Sequence, residues 1–490
     1  MKNSVKKNYA YNVIYQIINI FVPIVTTPYV SRVLGVDAIG NFSYTASIVS
    51  YFSLFATLGF SIYGQREIAY RAKDTIAISI LFYEIQSFKF ISTASCVLLL
   101  LLFTHFFADT DYKTILYIQT LTVVAVFFDI SWLFQGLENF KITVMRNLIV
   151  KIIGLVLIFT FVQRSEDLEL YIVLQCCTQL FGNISLWKYL PKYICRVEKS
   201  LVKPFENTRK MLELFVPMIA IQVYTVLDKT MIGGLTNSSY ENGCYEQVTK
   251  IVAVLMAIIT SLGVVMLPTM ASVYAEQNQE KLKKIAEKAY CYVIFMSCPL
   301  GLGLISVSDT FVPFFLGNGY DKSVSLLKIY ALVLLIIPLS NIAGYAILTP
   351  IGQHNKGTLA VILGALINFC FNLVLIPKLL SVGAAISSVI AEAFVTIIHL
   401  IFIRKYIHVT TVVKYYISQV LISTFMCVCV YFSGIYLKGI VNTEIIVLCI
   451  QVMIGIVVFL FIQLLIVKEP ILLDLLKHLF QMRKNNFKEL

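Results

Sequence analysis

Nine ionisable side chains stand inside stretches that are otherwise apolar, and they define the chemistry open to this chain. They are Glu84, Lys89, Asp129 and Lys151 in the first half, and Asp228, Lys229, Lys250, Lys328 and Glu392 in the second. A charge at the centre of a hydrocarbon layer costs about 3 kcal/mol on insertion scales, so such residues face a bundle interior or a wet cavity. Lys89 and Lys151 lie about eight residues from the ends of their runs, roughly 12 Å deep at about 1.5 Å per residue. Glu392 is near the middle of its run. An interface does not explain these three together. Asp228, Lys229, Lys250, Lys328 and Arg32 lie near run ends, where snorkelling to the interface is an alternative. The adjacent Asp228 and Lys229 fit a compensated ion pair, a helix anchor or a gate latch.

Amides extend the polar set. Gln16 and Asn19 share one run; Gln175, Gln179 and Asn183 follow helical spacing along another; Gln222 and Thr225, and Asn368 and Asn372, mark two more. Hydrogen bonding between helices and the lining of a cavity are both open to them. Nothing in the chain forms a catalytic constellation. It has no P-loop, no HExxH and no Gly-x-Ser-x-Gly. Its eleven cysteines are scattered, with neither CxxC nor ligand spacing to His. We therefore expect no enzyme, no metal and no cofactor. Work is expected to come from the substrate's own gradient or from a coupling ion, H+ or Na+.

The elements that position these residues follow from composition. Of 490 residues, 59% are hydrophobic and 13% charged, with a mean hydropathy of +0.83. A soluble domain carries about 25% charged residues. The apolar residues come in blocks long enough to cross a ~30 Å hydrocarbon core as helices. We place spans at about 9–31, 39–62, 80–103, 113–135, 143–163, 169–189, 211–234, 247–271, 286–308, 325–349, 357–377, 381–403, 412–437 and 443–467. The first is too long for a signal-peptide core and is read as a retained span.

Alternate connections then collect the cations. Of 39 Lys and Arg, 28 fall in segments on the side of the N-terminus and 6 on the other. By the positive-inside rule the basic side is cytoplasmic, with both termini. The net charge of +12 then faces anionic lipid head groups and implies no nucleic acid. The tail 468–490 carries Ile471, Leu472, Leu475, Leu476, Leu479 and Phe480 on one helical face and is expected along the inner leaflet.

The chain also repeats itself. "FVPIVTTPYV" (21–30) matches "FVPMIAIQVY" (215–224). Gly40 and Gly243 each open a polar-aromatic stretch, Leu58-Gly59 matches Leu262-Gly263, and "GLEN" (136–139) matches "GQHN" (352–355). Transporters are often built from such repeats. Six spans per repeat give both halves the same orientation. The expected organisation is a lobe at 1–190, a basic cytoplasmic linker at 191–210, a second lobe at 211–405, two further spans at 406–467 and the tail. The fold class is an all-α membrane protein of about fourteen transmembrane helices, in two pseudo-repeated six-helix bundles plus two C-terminal helices.

"PYVSRVLGVDAIGNFSYTASIVSYF" (28–52), with "GQREIAYR" (64–71), resembles the amino-terminal signature of bacterial polysaccharide repeat-unit flippases. "VLDKTMIGGLTNSSYENGCYEQVTKIV" (226–252) and "ITSLGVVMLPTMASVYAE" (259–276) are similar to their seventh and eighth helices. These flippases form the polysaccharide transporter branch of the multidrug/oligosaccharidyl-lipid/polysaccharide exporter superfamily. The resemblance implies two six-helix lobes around a central cavity. It implies transport of an undecaprenyl-pyrophosphate-linked oligosaccharide from the inner to the outer leaflet of a bacterial plasma membrane, for capsule, exopolysaccharide or O-antigen synthesis. Polymerases and glycosyltransferases are the implied partners.

A pyrophosphate would be met by Arg32, Lys89, Lys151, Lys229 and Lys250, with Asp228 compensating Lys229. Gln16, Asn19, Gln179, Gln222 and Glu392 would line a polar, positively biased cavity. A lipid II or teichoic-acid-precursor flippase shares the pyrophosphate. A multidrug extruder of the same superfamily favours an acidic cavity, against the basic surplus here. A membrane-embedded polymerase or ligase normally carries a large external loop, and the outer connections here are short.

Overall fold

The computed structural model describes the backbone of residues 2–71, 74–441, 443–467, 469 and 472. Side chains are described from Phe21 onward, apart from 262–265, 267 and 268. Gln16 and Asn19 fall outside the described side chains. The expected amphipathic tail lies outside the described residues except for Glu469 and Leu472.

The described chain is helical throughout, without a strand. In order, the helices are α1 (Lys2–Thr57), α2 (Phe60–Tyr70), α3 (Thr75–Phe106), α4 (Thr110–Phe128), α5 (Ser131–Gly136), α6 (Phe140–Phe161), α7 (Leu168–Ser185) and α8 (Thr208–Thr236). They continue as α9 (Ser239–Ala275), α10 (Gln279–Leu316), α11 (Asp321–Tyr330), α12 (Val333–Asn341), α13 (His354–Leu379), α14 (Ser381–Ile403), α15 (Val409–Lys438) and α16 (Glu444–Phe461).

Twelve segments are long and apolar enough to cross a membrane; α11, with α12 and the π-helical turn Ile342–Leu348, makes a thirteenth, bent by 40°. The fourteenth is hidden in α1. Its 56 residues would span about 84 Å at ~1.5 Å per residue, far more than one crossing needs. Gly35 divides it: at φ 80 and ψ 171 it adopts a backbone that only glycine takes without strain. The two legs match the first two expected spans.

Helix ends follow local chemistry. Asp74 caps α3 by accepting hydrogen bonds from the amides of Ile76 and Ala77, each at 3.0 Å, which satisfies two of the donors left open at a helix start. Leu58 (φ 39) and Gly59 (φ 75) separate α1 from α2. Their repeat partners Leu262 and Gly263 lie within the unbroken α9. The fourth expected span is interrupted at Asp129 and Ile130, between α4 and α5.

The chain forms two compact units. The first comprises residues 1–247 and 369–384; the second comprises 248–368 and 385–490. Within the first, α8 packs on α1 and α2. The compact units and the sequence repeat, with its link at 191–210, therefore cut the chain at different places. The first unit is anchored by an aromatic core in which Phe82 stacks on Trp132 at 5.9 Å and Trp187 donates its indole N–H to the carbonyl of Phe128 at 2.9 Å. The second unit buries Phe295, Val307, Met426, Val430 and Phe459 between α10, α15 and α16. Inside it, Gln463 donates to Gln419 Oε1 at 2.5 Å, a single hydrogen bond between buried amides of two helical segments; Gln419 Nε2 and Gln463 Oε1 have no partner among the described residues.

Candidate functional site: an amide-lined cavity and a carboxylate cluster

A cavity of about 380 Å³ opens within the first unit, inside the ~300–1,000 Å³ range of ligand sites. The second leg of α1 supplies Ser50, Ser53 and Thr57 at helical spacing, α4 supplies Gln119 and Thr122, α7 supplies Gln175 and Gln179, and α8 supplies Gln222. No ionised side chain lines it among the described residues. The polar lining among the described residues is built from neutral amides and hydroxyls. Gln119 is 2% exposed, and neither end of its amide has a hydrogen-bond partner among the described residues. The Ser53 hydroxyl is in the same position. Burying such groups unpaired costs roughly 1–3 kcal/mol each. The wall therefore presents donors and acceptors that the other described residues leave open.

A second group of polar residues lies where α8 and α9 meet α1. Lys229 Nζ pairs with Glu246 Oε2 at 2.6 Å, and Ser43 Oγ donates to the same oxygen at 2.7 Å. Tyr245 donates its hydroxyl to Asp228 Oδ2 at 2.5 Å, and Asn372 Nδ2 donates to Asp228 Oδ1 at 2.7 Å. Both the amide and the hydroxyl of Ser381 donate to Glu241 Oε2. Asp228, Glu241 and Glu246 are all buried, and each is held by a donor from another helix. Buried charge persists only with such partners.

The expectation that Asp228 compensates Lys229 is corrected by this geometry. Lys229 is compensated by Glu246, seventeen residues on. Residues adjacent on a helix point about 100° apart and do not face each other, so the neighbour in sequence is not the partner in space.

The other expected site residues are distributed as follows. Gln179 and Gln222 line the cavity together. Lys89 is 1% exposed, and its Nζ donates to the carbonyl of Asp129 at 2.6 Å. It closes the break between α4 and α5 and is not on the cavity wall. Arg32 is exposed near the end of the first leg of α1, and Lys151 is half-buried on α6. Lys250 and Glu392, both half-buried, belong to the second unit. Gln119, the most telling cavity residue, was not among the expected ones. It sits in "LYIQTLTVV" (116–124), where one amide in an apolar run was the available signal.

The sequence pattern of the family described as "Polysaccharide biosynthesis protein" matches residues 5–274. The chain belongs to this family. The pattern of the lipid II flippase MurJ matches residues 206–446, so the two matches together cover most of this family member. A protein of Escherichia coli (strain K12) named for O-antigen transport is 22% identical over 82% of the chain and 98% of its own length. Among solved structures, lipid II flippase MurJ in an inward closed conformation superposes with a TM-score of 0.72, at 17% identity, over 93% of this chain and 97% of that one. An inward-facing multidrug resistance MATE transporter superposes with a TM-score of 0.63, at 17% identity, over 82% of this chain and 96% of that one. The family member is thus a multi-pass membrane protein of polysaccharide biosynthesis with a MurJ/MATE-like fold.

Proposed function

We propose that this protein flips an undecaprenyl-pyrophosphate-linked oligosaccharide from the inner to the outer leaflet of a bacterial plasma membrane, with both termini cytoplasmic. The observation that carries this reading is the uncharged cavity wall. Sugar hydroxyls need many neutral donors and acceptors, and the amides of Gln119, Gln175, Gln179 and Gln222 with the neighbouring hydroxyls supply them. A lipid tail needs no such path and stays in the bilayer. The name of the Escherichia coli relative supports a glycan of the O-antigen type.

The pyrophosphate is assigned to two cations of the first unit, the exposed Arg32 and the half-buried Lys151. Lys229, bound to Glu246, belongs to a closure. The Lys229–Glu246–Ser43 and Asp228–Tyr245–Asn372 contacts tie segments from both sequence halves together near the outer span ends. In this reading they break when the glycan leaves outward. A proton or sodium ion taken up at Asp228 would compete with Tyr245 and Asn372 for its oxygens, and so couple a gradient to opening. Glycosyltransferases upstream and a polymerase downstream are the partners this activity requires.

The test is reconstitution of the protein in vesicles carrying the lipid-linked glycan in the leaflet that faces the basic connections. The wild type is expected to expose the glycan to a glycosidase on the other side, and the double variant Gln119→Leu/Gln222→Leu to lose that activity. A glycan that stays protected with the wild type overturns the proposal. Exposure of lipid II in preference to oligosaccharide would instead support the second reading, which the MurJ match over residues 206–446 favours.

A further inference from the structure

The opposite face of α7 borders a groove that the transport reading does not use. It runs between α6 and α7, has a volume of about 920 Å³ and is walled by Ile142, Met145, Ile149, Ile153, Leu157 and Phe181. Met145, Ile149, Ile153 and Phe181 are 42, 50, 49 and 64% exposed, so the groove faces outward from the bundle. Gln175 and Gln179 of α7 line the cavity, whereas Cys177 and Phe181 line the groove. At about 100° per residue these pairs occupy different sides of the helix.

One end of the groove is basic. Lys141 and Arg146 near the start of α6, and Lys188 and Lys192 beyond the end of α7, all line it. The Arg146 guanidinium donates to Asn183 Oδ1 at 3.1 Å, and Asn183, itself buried, donates to the carbonyl of Ala125 at 2.8 Å. Lys192 Nζ lies 5.8 Å from the centre of the Tyr193 ring, and Asn139 donates to the Tyr193 hydroxyl at 2.8 Å. Among the described residues no carboxylate pairs with Lys141, Lys188 or Lys192. From Ile142 to Leu157 the apolar wall extends about 22 Å, beyond the ~15 Å hydrocarbon depth of one leaflet.

We propose that this groove binds one anionic diacyl phospholipid of the adjacent leaflet, with its phosphate among the four cations and an acyl chain along the α6–α7 wall. The charge matches a phosphate and the length matches an acyl chain. The lipid is distinct from the transported substrate, which belongs to the cavity on the other side of α7. The proposed function enters only in naming the leaflet as the inner one.

Native mass spectrometry of the purified full-length protein, titrated with phosphatidylglycerol or phosphatidylcholine, tests this. The wild type is expected to retain one phosphatidylglycerol in preference to phosphatidylcholine. Lys141→Gln/Lys188→Gln/Lys192→Gln is expected to weaken phosphatidylglycerol by about fivefold per cation removed, leaving phosphatidylcholine unchanged. Ile149→Trp/Ile153→Trp, which fills the wall and keeps the cations, is expected to displace the lipid too. Gln119→Leu/Gln222→Leu, which is expected to abolish glycan exposure, is expected to keep the lipid, so failure of the transport reading leaves a separate result. Equal retention of both lipids by the wild type, unchanged retention in the triple variant, or preference for an undecaprenyl-pyrophosphate glycan at this groove overturns the proposal.

Discussion

Gly40 and Gly243 face each other where α1 crosses α9. A methyl group on Gly40 would lie 1.8 Å from the carbonyl oxygen of Ser239 and 3.0 Å from the amide nitrogen of Gly243. A methyl group on Gly243 would lie 2.1 Å from the carbonyl oxygen of Val36. The two glycines that match in the sequence repeat therefore let backbone approach backbone in space. Gly40→Ala is expected to lower the thermal midpoint of the detergent-purified protein, with overpacking costing about 1–3 kcal/mol. Gly303→Ala serves as the control: its methyl group would make ordinary contact with Met426 at 3.6 Å, and loss of a helical glycine is worth roughly 0.5–1 kcal/mol in its favour.

The Lys229–Glu246 pair is 24% and 7% exposed on its two sides. Removing one partner leaves the other charge poorly solvated, which is strongly destabilising when a pair is buried. Lys229→Gln and Glu246→Gln are each expected to destabilise the protein, and the double variant to be less impaired than the sum of the two. A double-mutant cycle on thermal unfolding should return a coupling of about 0.5–3 kcal/mol; additivity would separate the two residues.

Gln119→Leu separates function from stability. The amide has no partner among the described residues, so its removal orphans none of them, and an apolar group of similar size avoids a desolvation cost of about 1–3 kcal/mol. Thermal stability is expected to hold or rise while glycan exposure in vesicles falls. A stability loss paired with normal exposure would assign Gln119 to packing.

Lys89→Met tests the opposite case. The substitution keeps the side chain's length but removes the donor to the carbonyl of Asp129, and an unsatisfied buried carbonyl costs roughly 1–3 kcal/mol. The yield and thermal midpoint of the protein are expected to fall, with transport per folded molecule retained. A transport defect in a fully stable variant would return Lys89 to the substrate path.

Ser238 lies in the connection between α8 and α9, on the side that carries few cations. In a background lacking reactive native cysteines, Ser238→Cys is expected to react with a membrane-impermeant maleimide in intact cells. Reaction only after lysis would invert the assigned orientation.

How much of this was legible beforehand differs from residue to residue. The spans were legible because each apolar block meets the hydrocarbon thickness on its own, and Gly35 marks the one place where a continuous 56-residue helix must divide. Gln179 and Gln222 were legible as polar groups in apolar runs, but an amide there can equally bond another helix, as Gln463 does with Gln419, so the sequence alone left their surroundings open. The partner of Lys229 was not, since Glu246 reaches it only through a tertiary crossing. The role of Lys89 was also hidden: its acceptor is a backbone carbonyl, freed by a helix break at Asp129 that no proline or glycine announces.

The short segment 369–384 belongs to the first compact unit, joined through Asn372 to Asp228 across 144 residues and through Ser381 to Glu241 across 140. This sets a timetable for biogenesis. The ribosome finishes Gln247 and must still make 248–384 before Asp228 meets Asn372 and Glu241 meets Ser381. At about 5–20 residues per second the delay is on the order of ten seconds. During it the first unit lacks the contacts that segment 369–384 brings, so its polar cluster is completed only after much of the second unit has been synthesised.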